Sequence, residues 1–319
     1  MCFATKGEHM PVVYDNKRKD ITFCTMLFKM PAQGDLAKIK GGNRNFKDFY
    51  LASLKQLVET FNNIALWCDK ETADYLRKEG LADKINMRVM KLQDLPHWGE
   101  RESCRKIMYK MKKYVGYFLH HRSPEVWVDY LPLMWAKPAI IDWAAQNNKF
   151  NSDYFVWLDA GALSSKYANS PLWNKWTGHI YAKPKRVRMT IAVTLGKSRP
   201  HFVPRFLYDF YKFLFVKPIQ QANVENLARQ NIRDIAMTNA DYDVPGGSFI
   251  VPKNLAHDFY NAFEHTRKIM KKHELVCVDQ GMFQAMMKFD VYDMFELKYI
   301  TGYTGLYAAV AGKDVDVVV

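Results

Sequence analysis

Short apolar runs recur along this chain and alternate with stretches whose apolar residues return every three or four positions. The first run, Ile21 to Phe28, predicts a strand. Phe46, Phe49, Tyr50, Leu54 and Leu57 follow at helical spacing, and Ile64 to Cys68 predicts a second, buried strand. Asp69 then offers an N-cap for a short helix ending at Gly80, and Met87 to Leu92 alternates as a third strand. The stretch from Asp94 to Arg122 is basic and aromatic and reads as helical in its second half. Ser123-Pro124-Glu125 is a good helix start, for a helix running to Asn147. Tyr154 to Leu158 and Met189 to Thr194 predict further strands, and Pro204 to Asn239 reads as helices. Gly246 to Val251 is a glycine-led strand stopped by Pro252. Asn254 is placed to cap a helix to Lys272, and Asp279 to begin one to Lys288. Two short strands, Val291 to Phe295 and Lys298 to Ile300, precede a tail.

Strands alternating with helices predict an α/β fold with a mostly parallel central sheet flanked by helices. With no repeat, low-complexity segment or linker, residues 1–319 read as a single domain, with a polar leader at 1–20 and a tail at 301–319.

The run Tyr154-Phe155-Val156-Trp157-Leu158, bounded by Asn151-Ser152-Asp153, has the pattern of a strand covered on both faces. Asp159 falls at its carboxyl end, followed by Ala160 and Gly161 to turn the chain. Ligands of open α/β sheets bind outside the carboxyl ends of the strands. A carboxylate there suits a metal ion or a sugar hydroxyl, and equally suits capping the turn.

Composition narrows the partners. A chain of 319 residues and 37.3 kDa, 49% hydrophobic, can bury a sizeable core. No apolar run approaches the roughly 20 residues of a membrane helix, and the leader lacks a signal-peptide core. The five cysteines are scattered without a C-x-x-C pair, which favours a reducing compartment, so a cytoplasmic location is expected. The formal charge of +13 is concentrated in Arg101 to Arg122 and again in Lys183, Lys185, Arg186 and Arg188. Such clusters attract phosphates, in nucleotides, nucleic acid or an anionic membrane surface.

Several motifs fail on inspection. Thr194-Leu195-Gly196-Lys197-Ser198 mimics the end of a P-loop, but Ile191 stands where its first glycine belongs. No G-x-G-x-x-G follows the first strand, and no H-E-x-x-H occurs. The His120-His121 pair points two ways on a helix. An aspartyl-phosphate phosphatase would want a second aspartate where Gly161 stands.

Lys137, followed by Asn151 to Gly161 with its Trp157-x-Asp159-x-Gly161 core, resembles the signature of the HtrL/YibB family. These are glycosyltransferase-like proteins tied to lipopolysaccharide and other surface-glycan synthesis. Gly246-Gly247 and Asp279-Gln280 resemble the family's second half, and the order of elements is similar to a GT-A sugar-nucleotide transferase. The resemblance implies a GT-A-like fold, a nucleotide-diphosphate-sugar donor, a glycan or glycolipid acceptor, and Mn²⁺ or Mg²⁺ on the diphosphate.

It further implies roles for particular residues. Asp159 is the metal-binding acid, although Gly161 replaces the second acid of an Asp-x-Asp pair and no histidine follows His273. Either water and diphosphate oxygens complete the metal site, or the basic clusters replace the metal. Thr25, Lys137, Gly161, Gly246, Gly247 and Gln280 would bind the donor. Asp279, Asp241 and Asp243 are the candidate catalytic acids, one of them taking the acceptor proton if the reaction inverts. The competing readings are a basic nucleic-acid-binding protein and an inactive scaffold of the same fold.

Overall fold

The structure, a computed structural model, describes residues 20–30, 46–112, 124–162, 184–192, 247–288 and 292–300. Its strands form one seven-stranded sheet in the order β3-β2-β1-β4-β6-β5-β7. They are β1 (Ile21–Leu27), β2 (Ile64–Cys68), β3 (Ile85–Val89), β4 (Tyr154–Leu158), β5 (Val187–Ala192), β6 (Ser248–Pro252) and β7 (Phe295–Ile300). All pairings are parallel except those of β6, which runs antiparallel between β4 and β5. The mostly parallel α/β architecture expected of the sequence is therefore the one found.

The apolar runs are continuous because helices cover the sheet on both sides. Every residue of β1, β2 and β6 is buried. Alternate side chains feed two cores. Cys24, Phe155, Trp157, Phe249 and Val251 enter one, with α4 (Pro124–Trp135), α5 (Lys137–Asn147), α6 (Ala256–Lys272) and α7 (Asp279–Lys288). Ile21, Phe23, Val156, Leu158 and Ile250 enter the other, beneath α1 (Ala52–Thr60) and α2 (Lys70–Lys78). Phe249, Phe259 and Phe283 pack mutually at ring separations of 5.2–5.9 Å and lock α6 and α7 onto β6.

From β1 the chain moves outward to β2 and β3, then returns through α3 (Arg101–Lys112), α4 and α5 to place β4 on the other side of β1. The strand order thus reverses between β1 and β4. In open α/β sheets the crevice at such a switch, outside the carboxyl ends of the strands, is where ligands bind.

Four expectations are corrected. The helix foreseen from Ser123 to Asn147 is two helices meeting at Ala136, because Pro138 has no N–H to give the Met134 carbonyl. The third strand spans Ile85–Val89, starting two residues early and ending three early, since Asp94 Oδ2 takes the Lys91 N–H at 3.0 Å and starts a 3₁₀ turn. The last two strands are one, Phe295–Ile300, in which Glu296 is neutralised by Arg188 directly across on β5. Asn254 lies within a 3₁₀ turn, Lys253–Leu255, and the helix after it starts at Ala256 with Leu255 as its cap residue. Asp69 does cap α2, accepting from the Thr72 N–H at 2.8 Å, and Gly80 ends the turn at φ +70°. The helices read over 204–239 lie outside the described residues.

Candidate functional site

The break at Ala136 sets Lys137 at the first position of α5, with its side chain turned inward against the sheet. Its ammonium Nζ stands 3.1 Å from Asp159 Oδ1 and 2.6 Å from Asp279 Oδ2. It also lies 5.1 Å from the centre of the Trp157 ring. The three ionisable groups come from α5, the carboxyl end of β4 and the first turn of α7.

Each acid is held by its own surroundings. Trp157 precedes Asp159 by two residues, on the same face of the strand, and its indole N–H donates to Asp159 Oδ1 at 2.9 Å. The Asp159 N–H donates to the Gly247 carbonyl at 3.2 Å, and the Ala162 N–H closes the turn onto the Asp159 carbonyl at 2.8 Å. Gly161 sits in that turn against an aromatic wall: a Cβ there would lie 3.1 Å from the Phe49 ring and 3.5 Å from the Tyr50 ring. This packing gives a steric reason for a glycine where a second acid was sought.

Asp279 opens α7 after the buried segment Leu275 to Val278. The indole N–H of Trp135 donates to the Cys277 carbonyl at 2.9 Å and fixes that segment. Around Trp135 lies a charge network. Arg267 bonds both Glu100 and Glu264, Lys271 reaches Glu100 at 2.6 Å, and both ring nitrogens of His97 face these carboxylates. His97 takes a left-handed backbone, φ +67°, to get there.

Exposure divides the roles. The side chains of Lys137 and Asp279 are 2% and 4% exposed, whereas that of Asp159 is 47% exposed. Only Asp159 of the three meets solvent. Burial would push the Lys137 ammonium down, but Asp159 and Asp279 outweigh it and hold its pKa well above the ordinary lysine value. Burial pushes the Asp279 carboxyl up, against the pull of Lys137. One ammonium shared by two carboxylates does not fully offset both, so the more enclosed acid is the reluctant one to ionise. Asp279 Oδ2, though close to the ammonium, has no hydrogen-bond donor aligned on it.

The structure thus gathers Lys137, Asp159 and Asp279, with Gly161 and Gly247 beside Asp159. Gln280 follows Asp279 and turns its backbone N–H to that carboxylate. Thr25 is placed elsewhere: it is fully buried on the opposite face of β1, its hydroxyl without a hydrogen-bond partner. Asp241, Asp243 and Gly246 lie outside the described residues. Sequence reasoning missed the Trp157 indole, which the two-residue spacing to Asp159 could have revealed. It also missed Trp135 and the His97 network, for which no local signal exists.

The described donors do not complete a site for Mn²⁺ or Mg²⁺. Asp159 Oδ1 is engaged by Trp157 and Lys137, leaving Oδ2 as the accessible carboxylate oxygen of the trio, where hard cations take six or more ligands. Among the described residues no three His, Cys, Asp or Glu side chains converge as metal ligands, and no helix is long and apolar enough to cross a membrane.

The mixed α/β sheet carries an acid at its switch point and a buried lysine behind it. Residues 19–198 match the family model described as "Bacterial protein of unknown function (HtrL_YibB)", and the chain belongs to that family. The matched stretch carries Lys137 and Asp159, while Asp279 lies beyond it. Among solved structures, mouse xyloside xylosyltransferase 1 in its apo form aligns at 13% identity and a TM-score of 0.35. That alignment covers 88% of this chain and 85% of that one. No curated protein matches the chain.

Proposed function

We propose that the protein transfers a sugar from a nucleotide-diphosphate-sugar donor to a glycan or glycolipid acceptor, using the crevice between β1 and β4. One observation carries this: a fully buried lysine braces a half-exposed aspartate at the carboxyl end of the central strand. With Oδ1 taken by Lys137 and Trp157, Asp159 presents Oδ2 to a donor-sugar hydroxyl or to a Mn²⁺ or Mg²⁺ ion carried on the diphosphate. Lys137 is a positioning residue. Its ammonium holds the Asp159 carboxylate in place, and Asp279 fixes that ammonium from behind.

In the transfer, the acceptor oxygen bonds to the donor's anomeric carbon as the bond to the diphosphate breaks. The acceptor's proton passes to a carboxylate and the nucleotide diphosphate departs. Because Asp279 is enclosed, the proton falls to Asp241 or Asp243, just ahead of Gly246-Gly247. A resting place in the cytoplasm, on anionic membrane where its acceptor is lipid-borne, accords with the charge of +13.

A thermal-shift panel of UDP-, GDP-, ADP- and CMP-sugars, with and without Mn²⁺, tests the donor class. One nucleotide sugar should raise Tm by several degrees, and Asp159→Asn should abolish both the shift and turnover. Undiminished transfer by that variant would overturn the assignment.

A further inference from the structure

The second basic cluster is not absorbed by the candidate site. Pro184, Lys185, Arg186, Arg188, Phe295 and Glu296 line a separate cavity of about 450 Å³. Its place follows from the sheet register. Ile250 of β6 pairs with both Val156 of β4 and Arg188 of β5, so those two residues lie level. The strands β4 and β5 run the same way, since each is antiparallel to β6. Lys185 therefore lies three residues towards the amino-terminal edge of the sheet and Asp159 three residues towards the carboxyl edge. At about 3.3 Å per residue the two are roughly 20 Å apart along the strands alone.

The lining has a definite chemistry. Lys185 and Arg186 are exposed, and among the described residues Arg186 has only a loose carboxylate neighbour, Asp293 at 3.9 Å. Arg188 is held at 2.9 Å by Glu296, its neighbour across the β5–β7 pair, through one guanidinium nitrogen. Its Nε is buried with no hydrogen-bond partner. Three cations line the cavity against one lining carboxylate, Glu296, with Asp293 beside Arg186. Phe295 and Pro184 supply an apolar wall.

We propose that this cavity is a second binding site, distinct from the Asp159 crevice, and that it takes a phosphate ester or diphosphate. The two guanidinium groups match phosphate oxygens in geometry, and the excess of cations over carboxylates favours an anion. The volume suits a small phosphorylated molecule or a lipid phosphate headgroup. The assignment does not rest on the transferase proposal.

Isothermal titration calorimetry of the full chain with inorganic pyrophosphate in EDTA tests it. The double variant K185A/R186A alters two exposed side chains and should keep its Tm while taking up one fewer pyrophosphate per chain. K70A/K78A, which removes the same charge from α2, should bind as the unmodified protein does. Vesicles containing phosphatidic acid separate the two sources. Capture of the unmodified protein but not of K185A/R186A assigns the cavity to a headgroup. No capture, with pyrophosphate binding intact, assigns it to a soluble phosphate. The proposal is overturned if the unmodified chain binds no pyrophosphate, if K185A/R186A binds undiminished, or if K70A/K78A loses as much.

Discussion

Trp157 and Asp159 share one face of β4, and the indole N–H of the first donates to the carboxylate of the second at 2.9 Å. The strand thereby carries its own orienting group. Lys137 meets the same oxygen from α5, so the conformation of Asp159 is specified twice.

Trp157→Phe keeps most of the packing and deletes the hydrogen bond. Stability should fall by about 1 kcal/mol in urea titrations, the usual worth of such a bond. Turnover should fall about tenfold, a 1.4 kcal/mol loss, while Lys137→Arg, which keeps the charge in a bulkier side chain, should fall further.

Lys137→Met strands a buried carboxylate. The loss should be about 3–5 kcal/mol, the cost of breaking a buried ion pair by removing one partner. Lys137→Met combined with Asp279→Leu should recover much of it without recovering activity. Equilibrium denaturation of the two single variants and the double variant reads this coupling directly.

Glu264 contributes to the acid limb of stability. Burial alone would raise its carboxyl, but hydrogen bonds from His97 and Arg267 outweigh it and bring it from 4.5 to about 2. A depressed carboxylate contributes its stabilisation above the unfolded value and loses it as pH falls through the folded one. The protein should therefore lose stability between pH 4.5 and 2, and Glu264→Gln should flatten that limb while lowering stability at pH 7. Thermal melts across the range check it. Asp279 acts in the opposite sense: its raised carboxyl favours the folded state below the ordinary aspartate range and costs stability as pH rises through its folded pKa.

Gly161→Ala probes the aromatic wall. The new methyl meets Phe49 at 3.1 Å, a contact the ring relieves by a small shift. The expected cost is about 1 kcal/mol, at the low end for overpacking, with a larger cost for Gly161→Asp. A Gly161→Asp variant as stable as the unmodified chain would show that the wall does not exclude a second acid.

Much of the fold was legible because its central strands are covered on both sides. Ile64–Cys68 and Tyr154–Leu158 were read to the residue, since an unbroken apolar run has one simple explanation there. Legibility failed at the margins. In β3 Asn86 and Met87 are half-buried and Arg88 and Val89 exposed, so the pattern is diluted and the limits slid. The kink at Ala136 depends on which carbonyl Pro138 leaves open, something a periodic pattern does not record. At the site, Lys137, Asp159 and Asp279 each stood out singly, but their meeting is tertiary. The Trp135 support is less visible still, because His97 reaches Glu264 across 167 residues of chain through a left-handed turn.

The reversed direction of β6 has a consequence for how such a protein diversifies. Ala192 ends β5, and Ser248 begins β6, at the same rim of the sheet that bears Asp159. The chain thus leaves β5 and enters β6 at that one rim. A substitution at either of those two ends meets the rim that bears Asp159 while leaving every strand in register, so what binds there can be altered without renegotiating the core.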